Sequence, residues 1–364
     1  MSAMNRKRFP VIALNIGILL GATAACFEVG ARVLGPQLLP PDQSKNVAPG
    51  ESLPGEPNLI GDALLGWRVK AGQNRQFGVP EETYVNRLGL RNPELEDKDP
   101  SKKRILIVGD SSIYGVRVRD SDNISGQLSR QLQQEGHNVE VLNGGCPGYS
   151  TWQVIRLLQE RLLDTQPDWL IIGALWSDTQ GADAPDATRF GGQAMPWRYH
   201  SRAFILLQNW LNKRRWGVQQ VQPPENDPNA QRNGPINGPA GGPEKVAFGL
   251  QPVIAPTNRV PLGDYRNNLE QIVRLAQAQN TQVAFLVLPG IRDLVDGTTG
   301  DFREAYRMEM RSVAAEYHAP IADMPQQFIG GDARHLFYDD VHPKTPGYQK
   351  IAAELAKQLS SKGL

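Results

Sequence analysis

The run Arg104-Ile105-Leu106-Ile107-Val108-Gly109-Asp110-Ser111-Ser112 leaves few choices of conformation. Four consecutive aliphatic residues, rich in β-branched types, fit a strand buried on both faces, as in a parallel sheet covered by helices. Glycine, aspartate and serine then close the strand in a polar turn. A hydroxyl is thereby delivered to the C-terminal edge of the sheet, where open α/β sheets hold their ligands.

Further apolar runs predict strands at 104–108, 139–143, 169–174, 282–288 and 320–323. Between them apolar residues recur at helical spacing: Ile124, Leu128 and Leu132; Ile155, Leu158 and Leu162; Leu269, Ile272, Val273 and Ala276. A last helix, with Ile351, Leu355 and Leu359, is predicted to begin at Thr345 as cap with Pro346 in its first turn. Strand and helix in alternation predict an α/β domain, a five-stranded parallel sheet between two helical layers. The chain has 364 residues, enough for one large domain beside smaller pieces. With 39 basic and 38 acidic residues it has no charge excess to favour nucleic acid as a partner. Its two cysteines, Cys26 and Cys146, make no disulfide framework, and its five histidines lack zinc-ligand spacing. No metal and no cofactor are expected.

Arg6, Lys7 and Arg8 precede an uncharged, mainly apolar stretch, residues 9–27. As a helix it would span roughly 28 Å, close to the hydrocarbon thickness of a bilayer. Basic residues on its N-terminal side predict that end in the cytoplasm and everything after it outside. Three readings stay open: a retained single-pass anchor over 9–29, a lipoprotein signal cut before Cys26, or a cleaved secretory signal. Residues 30–60 read as a linker, 61–100 as a small β element and 101–362 as the main domain. An insertion at 181–260 interrupts that domain. Within it, residues 197–216 predict an amphipathic basic helix, and 217–258, dense in Pro, Gly, Asn and Gln, predict disorder.

Near the C-terminus stands Asp339-Asp340-Val341-His342-Pro343. A carboxylate three residues before a histidine places a base and the group that orients it on one turn of chain. With a serine they make an acyl-transfer triad. Gly109-Asp110-Ser111, Asn143-Gly144-Gly145-Cys146-Pro147-Gly148 and Asp339-x-x-His342 together resemble the SGNH (GDSL-type) hydrolase superfamily, which folds as a flavodoxin-like three-layer α/β/α domain. Leu65-Gly66-Trp67 and Asn86-x-x-Gly89-x-Arg91 also resemble membrane-anchored bacterial members.

The resemblance implies Ser111 as nucleophile, His342 as base and Asp339 as its orienting acid, with Asp340 the rival. It implies oxyanion donors at the backbone of Ser111 and Gly148. The family's third block, Gly-x-Asn-Asp, is here Leu175-Trp176-Ser177-Asp178, so Ser177 stands where a donating asparagine is usual. Cys146 reads as a small buried residue and His335 as a surface or packing histidine. The function so implied is an exported, membrane-tethered serine esterase acting on O-acyl, foremost O-acetyl, esters of an envelope or extracellular polysaccharide. Its partners are then an acylated carbohydrate or other ester and, through the N-terminal segment, the membrane. A polysaccharide O-acyltransferase with the same triad and a non-catalytic carbohydrate-binding protein are the alternatives.

Overall fold

The computed structural model describes residues 21–23, 25–30, 33, 47–53, 55–74, 83–182, 184–191, 203, 257–294 and 303–364. Five parallel strands form the main sheet: β1 (Lys103–Gly109), β2 (Val139–Gly145), β3 (Trp169–Gly173), β4 (Gln282–Val287) and β5 (Ile321–Asp323). Their order is β2-β1-β3-β4-β5, the flavodoxin-like arrangement. The crossover from β1 to β2 runs one way along the sheet and all later ones run the other. Right-handed crossovers therefore put helices on both faces. Helix α1 (Ser111–Tyr114) is a single turn after β1, followed by α2 (Ile124–Gln134). Helices α3 (Thr151–Leu157), α4 (Leu262–Gln277) and α5 (Arg303–Glu316) pack in a row, and α6 (Thr345–Ser360) packs on α2. Side chains of β1 from Arg104 to Val108 are buried, as a strand covered on both faces requires.

The sheet's switch point, where the strand order reverses, lies between β1 and β3. There Gly109 ends β1 in register with Gly145 of β2 and Gly173 of β3. This row of glycines is the seat of α1. A Cβ on Gly145 would lie 2.2 Å from the Tyr114 backbone nitrogen, and one on Gly109 2.5 Å from Ile113 Cγ1. One on Gly173 would lie 2.6 Å from Ile113 Cδ1. At Gly145 and Gly109 the Cβ would also run into backbone, so hydrogen there lets the turn that carries Ser111 rest on the end of the sheet, while at Gly173 it would collide only with the end of the Ile113 side chain.

Several expectations need correction. Strand structure begins inside the stretch read as linker: Ser52–Leu53 and Glu56–Asp62 pair with each other, and the latter pairs with Gly66–Val69. In the insertion, Thr257–Asn258 pairs with Gly181–Ala182, so the far end of the segment expected to be disordered is a short strand. Lys344, not Thr345, takes the N-cap position of α6. Thr345 and Pro346 open the helix, and no side chain caps it. The span at 9–20, the basic helix at 197–216 save Ala203, and residues 217–256 lie outside the described residues. Among the described residues no helix is long and apolar enough to cross a membrane.

Gly145→Ala is expected to lower stability by roughly 1–3 kcal/mol, the usual cost of overpacking, and to reduce turnover with it, because the clash is with the backbone of α1. Denaturation and steady-state rates on the same preparation check this.

Candidate active site

Asp110 caps α1, accepting the Ser112 N–H at 3.0 Å, and Ser111 is the first helical residue. In that position the Ser111 N–H has no helical acceptor, and it makes no hydrogen bond among the described residues. The Ser111 hydroxyl lies 2.8 Å from His342 Nε2. On the other side of the ring, Nδ1 is 2.8 Å from both Asp339 oxygens. Asp339 Oδ1 also accepts the backbone N–H of Val341 and of His342, so a tight turn aims the carboxylate at the ring. Asp340 instead offers its carbonyl to the Ile291 N–H. Burial disfavours ionisation of Asp339, but His342 and the two amides outweigh it and hold its pKa below the usual carboxylate value. Arg117, at φ 65°, adds a guanidinium 3.8 Å from Asp339.

Polar cross-links bind the segments that carry these groups. Asp110 is fully buried; its second oxygen accepts the N–H of Trp176 (3.0 Å) and of Ser177 (3.4 Å), tying the β1 and β3 loops together. Burial raises its pKa against the pull of these amides and of His342. The Ser112 hydroxyl donates to the Val341 carbonyl at 2.9 Å, and the Tyr348 hydroxyl donates to the Ser112 carbonyl at 2.6 Å. The turn bearing Ser111 is thus fastened to the loop bearing His342 and to α6. Asn143 Nδ2 donates to the Ile113 carbonyl at 2.9 Å. Arg91, fully buried, donates to the carbonyls of Tyr114, Gly115 and Val118 and pairs with Asp120 at 2.6 Å. The sequence gives Asp110, Ser112 and Tyr348 no role of their own, because their bonding partners lie far along the chain.

The other expected donors lie on loops bound to the same turn. The Cys146 N–H donates to the Gly109 carbonyl at 3.1 Å, and Gly148 follows at φ 78°, its N–H making no hydrogen bond among the described residues. Ser177 is buried, with its N–H given to Asp110 and its hydroxyl unbonded among the described residues. Cys146 is buried, and burial pushes its thiol pKa up, as fits a packing role; His335 is exposed. Trp176 lies beneath the guanidinium groups of Arg303 and Arg307, 5.0 and 5.4 Å from the ring centre. Asp178 accepts the Thr151 N–H (2.8 Å) and hydroxyl (2.5 Å) with one oxygen, while the other has no partner among the described residues. Burial pushes its pKa up to about 7, with nearby Asp110 adding to the shift and Thr151 and Arg259 opposing it. A cavity of about 350 Å³ beside α3 and α4 is lined by Arg259, Trp152 and Asn268 but by none of Ser111, Asp339 and His342.

The sequence model of the GDSL-like lipase/acylhydrolase family matches residues 218–350, which include Asp339 and His342. No curated protein matches the chain. Among solved structures, a lipase/acylhydrolase from Enterococcus faecalis superposes with a TM-score of 0.44 at 15% identity, over 71% of this chain and 96% of that one. The acetyl xylan esterase AlAXEase gives 0.44 at 12%, over 72% and 100%. A catalytic mutant of Axe2, an acetylxylan esterase from Geobacillus stearothermophilus, gives 0.43 at 14%, over 72% and 96%.

Asp178 binds its proton more tightly folded than unfolded, so it costs stability as pH rises from about 4 towards 7 and adds no further cost above that. Asp178→Asn is expected to gain thermal midpoint relative to the parent across that window, with the gap level at higher pH. A gap that does not change with pH would contradict this.

Proposed function

With a domain of the GDSL-like lipase/acylhydrolase family, the chain is a serine ester hydrolase, and we propose that it removes O-acyl groups, foremost O-acetyl, from a polysaccharide outside the cytoplasm. The observation that carries the site assignment is the unbroken contact from Ser111 Oγ through the His342 ring to Asp339, 2.8 Å at each step. In this reading Ser111 Oγ attacks the acyl carbon while His342 Nε2 takes its proton. Asp339 holds the Nδ1–H tautomer and stabilises the imidazolium. The Ser111 and Gly148 amides and the Ser177 hydroxyl receive the oxyanion. His342 then protonates the departing sugar oxygen. Water, deprotonated by the same ring, attacks the acyl-serine and releases the acid, and Ser111 regains its proton.

Ser177 offers a shorter donor arm than the family's asparagine, and loss of one oxyanion donor costs on the order of 10²–10³ in rate in other enzymes. The two backbone donors therefore carry more of the stabilisation here. Export and tethering are supported by the basic cluster Arg6-Lys7-Arg8 ahead of the apolar stretch 9–27. Helical residues at its far end add exposed apolar side chains, with Phe27 at 70% and Val29 at 62%. The polysaccharide rests on the family resemblance and on that location.

Acetate release from an O-acetylated polysaccharide, compared with hydrolysis of a long-chain ester, tests the substrate class. The expected outcome is faster turnover of the acetyl polymer. Turnover of the long-chain ester alone would overturn it. Ser111→Ala and His342→Ala are each expected to cost about 10³-fold or more, and the double variant hardly more, because the groups act as a unit. Asp339→Asn is expected to leave a residual rate. Wild-type turnover in Ser111→Ala would refute the assignment.

A further inference from the structure

The Gly148 N–H can serve as an oxyanion donor only if its peptide plane is held still, and within its own motif that plane is the middle peptide of the Cys146–Tyr149 turn, met only by the Cys146 sulfur at 3.9 Å from the Pro147 carbonyl. The Trp67 indole N–H donates to the Pro147 carbonyl at 2.9 Å. No peptide among the described residues is cis, and in a trans peptide the C=O and N–H point in opposite directions. Fixing the Pro147 oxygen on the indole therefore aims the Gly148 N–H away from Trp67. The following plane is held on both edges, by the Tyr149 N–H donating to the Cys146 carbonyl at 3.1 Å and by Arg259, which donates to the Gly148 carbonyl. The angle between the planes needs φ 78° at Gly148, and a Cβ there would meet Trp67 Cζ2 at 3.1 Å.

Both holding residues are themselves fixed. The guanidinium of Arg259 lies over the Trp67 ring, 5.3 Å from its centre. It is paired at 2.7 Å with Asp186 and donates at 2.7 Å to Gln153 Oε1. Trp67 receives the Tyr149 hydroxyl on its carbonyl at 2.6 Å and packs edge-on against Phe190. Trp67 belongs to the hairpin that precedes the sheet domain, and Arg259 lies at the end of the insertion, just after the short strand Thr257–Asn258.

We propose that Trp67 and Arg259 are positioning residues that aim the Gly148 amide at the oxyanion, so that the N-terminal hairpin is part of the catalytic unit. This rests on the assignment of Ser111 as nucleophile and Gly148 as donor. An oxyanion donor acts in the transition state and little in the ground state, so misaiming it lowers kcat and leaves KM alone.

The test is Trp67→Phe in the full chain, which keeps an aromatic ring and removes the N–H. With p-nitrophenyl acetate, kcat is expected to fall about tenfold, less than the loss of a whole donor, with KM within about twofold. Affinity for phenylboronic acid, whose tetrahedral adduct on Ser111 bears the charge of the intermediate, is expected to fall by the same factor. Where Trp67→Phe fails to fold, Trp67→β-(3-benzothienyl)alanine removes the N–H without changing the ring's shape, and the same pair of losses is expected. Unchanged kcat and boronate affinity in a folded variant, or a KM rise without loss of boronate affinity, overturns the proposal. Ser111→Ala separates the two layers. If it is inactive while Trp67→Phe is normal, only the positioning role fails. If it is active, the assignment beneath fails.

Discussion

The approach of a helical turn to the end of a sheet is the constraint on which the remaining geometry depends. Gly145, Gly109 and Gly173 make one row across β2, β1 and β3, and α1 rests on that row. A side chain at Gly145 would push on the backbone of Ile113 and Tyr114 and shift Ser111 with them. The loops after β2 and β3 leave the sheet at the same level, so the residues proposed to receive the oxyanion start from one row. This is the switch point of the sheet, where a doubly wound fold opens a crevice. The chemistry proposed here therefore follows from a packing fact first and from side-chain identity second.

A seated turn still needs a fixed orientation, and buried polar bonds supply it. Asp110 joins the β1 loop to the β3 loop, Ser112 joins it to the loop of His342, and Tyr348 joins it to α6. Unmade bonds of this kind are costly in a low-dielectric interior, so the network favours one arrangement over near alternatives. Three carboxylates at the site are set apart by surroundings alone. Asp339 faces the His342 ring and two amides, and its pKa is held down. Burial dominates at Asp110 and Asp178 and raises theirs. Separated pKa values let one carboxylate serve as the charged partner of a base while its neighbours act as bonding frames.

Much of this was legible in the sequence because its signals are local. Strands β1 to β4 are largely apolar runs buried along nearly their whole length, and Ser111, Asp339 and His342 stand out by residue type and spacing. The hidden parts depend on contacts distant in sequence. Helix α5 is hidden in the sequence because Arg303, Arg307 and Arg311 interrupt its apolar pattern. Yet Arg303 and Arg307 are buried, Arg307 is paired with Asp293, and Arg311 with Asp323. Arg91 and Trp67 were visible as motif residues without a role. Nothing local tells that one donates to three carbonyls around α1 and the other to Pro147. The first residues of the strand Glu56–Asp62 read as linker up to position 60 because Pro57 and the glycines around it signal turns, whereas pairing with Gly66–Val69 decides the outcome.

The central claim is that Ser111 is the activated serine of an ester hydrolase, and covalent capture tests it most directly. The full chain is treated with a fluorophosphonate, digested and analysed by mass spectrometry for the modified residue. One adduct is expected, on Ser111, formed at a rate that collapses in His342→Ala. Labelling of a different residue, or ester turnover that continues with Ser111 unlabelled, would contradict it.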